Sequence, residues 1–141
     1  MDLIKVKLWR RLVAALYDSL LLLALFFVMG WAVVMLNGGE AVEGPWLFWL
    51  LFLTAWAFFV TFWCTSGQTL GMLVWKIRVV TEDSGRLSLR QASVRMFVAL
   101  FSWAALGAGF LWCLLDKDGR AWHDRLSQTK LVFHDPKKTN P

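Results

Sequence analysis

Two long apolar runs, Leu12 to Leu36 and Pro45 to Thr65, limit what this chain can fold into more than any other feature of it. Each supplies about 20 mostly apolar residues, enough to cross roughly 30 Å of hydrocarbon as a helix. A soluble domain of 141 residues has no interior able to hide both, and 58% of the chain is hydrophobic. The runs therefore read as transmembrane helices. The first is not a secretory leader, because it is too long and carries Tyr17 and Asp18 where a leader would have a short apolar core and a cleavage site. A third apolar stretch, Met96 to Leu115, is long enough to span but is interrupted by Gly107 and Gly109.

The charges orient these runs. Lys5, Lys7, Arg10 and Arg11 precede the first, whereas the loop Asn37 to Gly44 holds Glu40 and Glu43 and no Lys or Arg. The positive-inside rule puts the N-terminus in the cytoplasm and the first two spans in a hairpin, with the basic stretch after Thr65 back in the cytoplasm. The net charge of +5 and pI near 9.6 invite a nucleic-acid reading. The basic residues lie beside apolar spans, however, where anionic headgroups are the nearer partner, so the bilayer is expected and nucleic acid is not. Cys64 and Cys113 show neither Cys-x-x-Cys nor His spacing and read as packing residues.

Lys76 to Leu89 alternates polar and apolar residues about Glu82-Asp83-Ser84-Gly85, which predicts a small cytoplasmic β-hairpin. Thr129 to His134 is a second β-prone run that can pair with it if both lie on one side. A straight third span would separate the two and export the basic tail. A bent or re-entrant segment turning at Leu106 to Gly109 avoids both problems, since irregular backbone is tolerated in a membrane where protein buries it. The expected fold is an all-α integral membrane protein: a helical hairpin plus a third bent or re-entrant apolar segment, with a small cytoplasmic β-hairpin. One domain covers residues 1–135, and 136–141 read as a disordered tail.

Polar residues inside such a frame are the functional candidates. Arg11 and Asp18 lie two turns apart on one face of the first helix, with Ala14 and Ala15 between them, about 10 Å along the axis and too far to pair directly. Asp18 needs a partner, and Arg95, on a face with Ser88, Gln91 and Ser102, is the expected one. Such a pair could hold the bundle together, or could titrate or bind a ligand. On the second helix Trp49, Phe52, Trp56, Phe59 and Trp63 form an aromatic stripe opposite Thr54, Ala57, Thr61 and Thr65. Small and hydroxylated residues favour close helix contact, so the threonine face is expected to look towards Asp18 and the aromatic face towards lipid or another subunit.

Trp9, Trp31, Trp46 and Trp122, near span ends, fit interfacial belts. Gly67-Gln-Thr-Leu-Gly71 lacks the Gly-Lys-Ser/Thr ending of a phosphate loop and reads as a tight helix exit with close packing. The densest polar group runs from Asp116 to Arg125. His123-Asp124 and His134-Asp135 are pairs without the spacing of a known metal site. Asp116, Arg120 and His123 are therefore expected to form a hydrogen-bonded cap tying the tail to the helix ends, with neither metal nor cofactor.

Three motifs in order resemble the RDD family of small bacterial membrane proteins across nearly the whole chain. The first is Arg11-Leu-Val-Ala14-Ala-Leu-Tyr-Asp18, the second Gly67-Gln68-Thr69-Leu70-Gly71 followed by Arg78-Val79-Val80, and the third His123-Asp124-Arg125 followed by Thr129. The resemblance implies that Arg11, Asp18 and Asp124 are the family's naming residues, and that the protein is a multi-pass protein of the bacterial inner membrane. The family is suspected of transport. The expected function is transport of an ion or small solute through a polar pocket of Arg11, Asp18, Arg95 and Asp124, in a homo-oligomer or with a membrane partner protein. The alternative is a non-transporting membrane adaptor or assembly factor. No enzymatic role is expected.

Overall fold

The computed structural model describes residues 6–134, so the tail at 136–141 lies outside the described residues. Helix α1 runs Leu8–Leu36 and α2 Pro45–Thr65, and among the described residues these are the two helices long and apolar enough to cross a membrane. Helix α1 buries only Arg11, Ala14 and Asp18 and presents Leu20, Leu23, Phe27 and Trp31 outward. A helix in water turns its apolar stripe inward. Here the polar stripe is inside and a broad apolar surface outside, as expected where the solvent is lipid. The protein is an all-α integral membrane protein.

Trp49 is exposed as expected, but from Trp56 to Thr65 helix α2 faces the other way from the sequence expectation. Ala55, Val60 and Trp63 are buried, Trp56 and Phe59 pack on the core, and Thr61 and Thr65 are exposed. The hydroxyls do not need a partner helix: Thr54 donates to the Leu50 carbonyl at 2.8 Å and Thr65 to that of Thr61 at 2.6 Å. A threonine satisfied one turn back can face hydrocarbon, which frees the larger aromatic side chains to fill the interior.

Gly67, at φ +72°, ends α2 with its N–H on the Phe62 carbonyl, and its own carbonyl accepts from Val79 N at 2.8 Å. A Cβ there would sit 2.6 Å from the Val79 carbonyl oxygen, so this crossing requires glycine. The short helix α3, Leu70–Val74, then leads into strand β1, Ile77–Thr81. Its antiparallel partner is β2, Thr129–Phe133, with Ile77 opposite Phe133 and Thr81 opposite Thr129. The expected hairpin within Lys76 to Leu89 is corrected accordingly. The turn forms, with Thr81 N donating to Gly85 O and Gly85 N to the Thr81 hydroxyl, but the returning residues do not pair with β1. Leu87 enters the core, and Ser88 with Gln91 makes a capping box that starts helix α4, Leu89–Ala104.

The third apolar segment is bent. Helix α4 stops in a Schellman motif, Gly107 N to Ser102 O and Leu106 N to Trp103 O, with Leu106 and Gly107 both at positive φ. Helix α5, Ala108–Leu111, and a 3₁₀ turn, Trp112–Leu114, continue at 105° to α4. Gly109 lets α5 lie against α4, since a Cβ there would collide with the Ser102 side chain and the Trp122 ring. The chain then returns to the end where α1 begins: Arg120 pairs with Glu82 at 2.8 Å, and helix α6, Trp122–Leu126, packs on α4. The sheet, α6 and the start of α1 thus lie together, with Val6, Ile77, Val79, Met72 and Leu87 in one core.

Candidate functional site

Arg11 on α1, Arg95 on α4 and Asp124 on α6 meet in the interior, each at most 5% exposed. Arg11 Nη1 donates to Asp124 Oδ2 at 2.6 Å, and Arg95 Nη1 donates to Oδ1 of the same carboxylate. One carboxylate thus accepts from two guanidinium groups carried by two other helices. The remaining donors are arranged around this pair. Arg11 Nη2 reaches Gly119 O at 2.8 Å, Arg95 Nη1 also reaches Thr129 Oγ1 at 3.1 Å, and Ala121 N donates to Asp124 Oδ2 at 3.2 Å. Thr129 Oγ1 in turn lies 2.7 Å from Ser127 Oγ, which donates to His123 O at 2.5 Å. The Arg95 guanidinium lies over the Trp63 ring, 5.2 Å from its centroid.

Burial by itself would raise the Asp124 carboxyl, but the positive charges of Arg95 and Arg11 outweigh it and hold the group well below the usual carboxylate range. His123 responds in the opposite sense. Burial and the nearby Arg95 push its imidazole down to about 3, so it is neutral at physiological pH. Its ring lies 4.8 Å from the Phe110 ring and its Nε2 3.7 Å from Asp124 Oδ1. Because the folded value lies below the ordinary 6.5, the unfolded chain takes up a proton on acidification that the folded protein refuses. The stability contributed by neutral His123 is complete above about pH 6.5 and falls towards about 3, at roughly 1.4 kcal/mol per pH unit. Thermal melting in detergent between about pH 7 and 5 is expected to show this slope, and His123→Gln is expected to flatten it.

Asp18 is not part of this cluster, and the expected pairing with Arg95 is corrected. Its Oδ2 accepts from the Thr69 hydroxyl and its Oδ1 from Gly71 N at 2.8 Å. Thr69 caps α3 by accepting from Met72 N at 3.3 Å, and Gln68 Nε2 holds the Ile77 carbonyl at 2.9 Å. The Gly-Gln-Thr-x-Gly segment therefore docks α3 and β1 onto α1, with Asp18 as the anchor. Gly71 has no room for a side chain, since a Cβ would clash with the Ala14 carbonyl oxygen and sit 3.0 Å from the Asp18 carboxylate.

The residues assigned to the cap divide as well. Asp116 accepts from Arg120 N at 2.9 Å and pairs with Arg125 at 2.8 Å, and these contacts keep its carboxyl below its ordinary value. Arg120 points its guanidinium at Glu82, while His123 is buried beside Asp124. Sequence reasoning missed Trp63 and Ser127. Trp63 belongs to the aromatic stripe expected towards lipid or another subunit, and Ser127 carries no signal beyond lying between Asp124 and Thr129.

A cavity of about 530 Å³ opens beside the cluster between α1, α2 and α4. Its polar end holds Arg11, Arg95 and His123, Asp18 lies two turns further along α1, and Phe26, Phe48 and Phe52 line the apolar remainder. Among the described residues no three His, Cys, Asp or Glu side chains come together as a metal would require. A sequence model described as the RDD family matches residues 5–128. No curated protein and no solved structure matches the chain.

Proposed function

The chain belongs to the RDD family, and from that premise we propose that it is a multi-pass transporter of the bacterial inner membrane that binds a small solute in the cavity between α1, α2 and α4. One observation carries this reading: an elongated apolar cavity ends on buried Arg11 and Arg95, which share the single carboxylate of Asp124. Within this cluster positive charge exceeds negative, which favours an anion over a cation. The reading assigns no catalytic chemistry. Lys and Arg gather where α1 starts and the sheet packs, and the loop between α1 and α2 has neither, so we assign that end to the cytoplasm. Two spans and a bent segment enclose no pathway alone, so a homo-oligomer or a membrane partner completes it.

The test leaves the charged cluster untouched. Ala99 lines the cavity wall, and Ala99→Phe fills space without removing a hydrogen bond. Sealed proteoliposomes containing a pH-sensitive dye are given gradients of chloride, acetate, phosphate and a long-chain carboxylate in turn. At least one gradient is expected to drive a flux above that of protein-free vesicles, lost in Ala99→Phe at unchanged melting temperature. Equal flux in both proteins, or none in either, sinks transport. The absence of flux with both proteins folded is what the adaptor reading expects. That reading is favoured by the mutual pairing of Arg11, Asp124 and Arg95, which suits a structural clamp as well as a binding site.

A further inference from the structure

We propose that the occupant of the cavity is a single-chain anionic amphiphile, a long-chain carboxylate drawn from the bilayer, with its headgroup at Arg11 and Arg95 and its chain along α1 and α2. This deepens the solute-binding reading above and rests on it. Three observations carry it, and the first is shape. The lining reaches from Arg11 to Phe26 on α1 and from Trp63 to Phe48 on α2, each about 22 Å of helix at 1.5 Å per residue. A volume of about 530 Å³ stretched over most of a bilayer's depth suits a chain better than a compact solute.

The second is charge. Arg11 and Arg95 present two positive charges and Asp124 returns one, while neutral His123 adds none. Asp18 lines the same cavity further along α1, but its two oxygens are already engaged by Thr69 and Gly71. An incoming headgroup is therefore drawn to the arginine end and turned away from Asp18, which fixes the direction of the chain.

The third is unmet hydrogen bonding at that end. Arg11 Nε, Arg95 Nε and Trp63 Nε1 are buried without a partner, and all three belong to side chains lining the cavity. Buried donors without acceptors are costly, and each of these can only donate. A carboxylate headgroup seated at this end offers the acceptor these donors lack, reached by a small rotation of the guanidinium groups towards the cavity, and places a negative charge beside the cluster's excess positive one. Apart from Asp18 and Ser19, whose hydroxyl donates to the Ala15 carbonyl at 2.7 Å, the wall from Leu22 and Phe26 to Phe52 and Phe59 offers a chain apolar contact.

Quenching of tryptophan fluorescence by brominated lipids tests this on the full chain in detergent, because Trp63 and Trp103 line the cavity. Dibromostearate is expected to quench saturably and at least roughly tenfold more tightly than its uncharged methyl ester, reflecting charge-assisted hydrogen bonds. The saturable part is expected to disappear in Ala99→Phe and to shrink in Trp103→Phe. Equal quenching by the ester leaves only an apolar void and overturns the proposal, as does undiminished quenching in Ala99→Phe. Full competition by inorganic phosphate would assign the site to a free anion instead. Tighter quenching by a dibrominated phosphatidylglycerol would assign it to a two-chain lipid. Saturable binding of dibromostearate without flux would remove transport and leave this proposal standing. Flux of another solute without such binding would do the reverse.

Discussion

Replacing Asp124 by alanine is expected to cost about 3 to 5 kcal/mol of stability, the range for breaking a buried ion pair by removing one partner. The loss comes less from the missing attraction than from what remains. Arg11 and Arg95 are each at most 5% exposed and would be left in the interior without a counter-charge, with the Ala121 N–H also losing its acceptor. Little folded protein should survive gentle detergent extraction. Asp124→Asn keeps an acceptor for one guanidinium and the volume of the side chain, so it should fall between wild type and alanine. The triple variant Arg11→Met, Asp124→Leu, Arg95→Met removes all three charges together and is expected to recover most of the lost stability, since a well-packed apolar replacement of a buried ionic cluster is often neutral or better. Unfolding midpoints in mixed detergent for the four proteins test the order. A triple variant as unstable as Asp124→Ala would mean that the loss does not come from guanidinium groups left buried without their counter-charge.

The same cluster marks where the sequence stopped being readable. Spans, helical hairpin and bend are legible because each rests on local physics: runs of about 20 apolar residues, and Gly107 and Gly109 inside the third. The convergence of Arg11, Arg95 and Asp124 was also within reach, since a basic tail that stays on the cytoplasmic side must bring Asp124 back to Arg11. Two inferences failed on long-range geometry. A buried carboxylate calls for a charged partner, which points Asp18 to Arg95, yet a hydroxyl and a backbone N–H meet its needs, and no spacing rule announces that Thr69 and Gly71 will lie beside it. The rule that hydroxyls seek a neighbouring helix turns α2 the wrong way, because Thr54 and Thr65 bond to their own helix and Trp63 goes inside under Arg95. The strand pairing shows a similar limit. Alternation located β1 and β2, but whether residues 86–89 returned as a strand or opened α4 depended on the capping box formed by Ser88 and Gln91.

Asp18 and Gly71 separate a structural role from a functional one. Asp18→Ala removes the acceptors of both the Thr69 hydroxyl and Gly71 N, leaving two buried donors without protein partners, at an expected cost of about 2 to 3 kcal/mol. Asp18→Asn retains an oxygen for Gly71 N and offers an amide to Thr69, whose hydroxyl can accept, so a loss of about 1 kcal/mol or less is expected. Gly71→Ala forces a methyl group against the Ala14 carbonyl and should cost about 1 to 3 kcal/mol by pushing α3 off α1, although it changes no charge. If Asp18 serves only as the anchor of this contact, melting temperature and vesicle flux should fall together across the series, with asparagine nearest wild type. An Asp18→Asn protein that melts like wild type but carries no flux would break that correlation. The carboxylate would then have a role its two hydrogen bonds do not explain, and the polar site would extend from the arginine cluster two turns along α1.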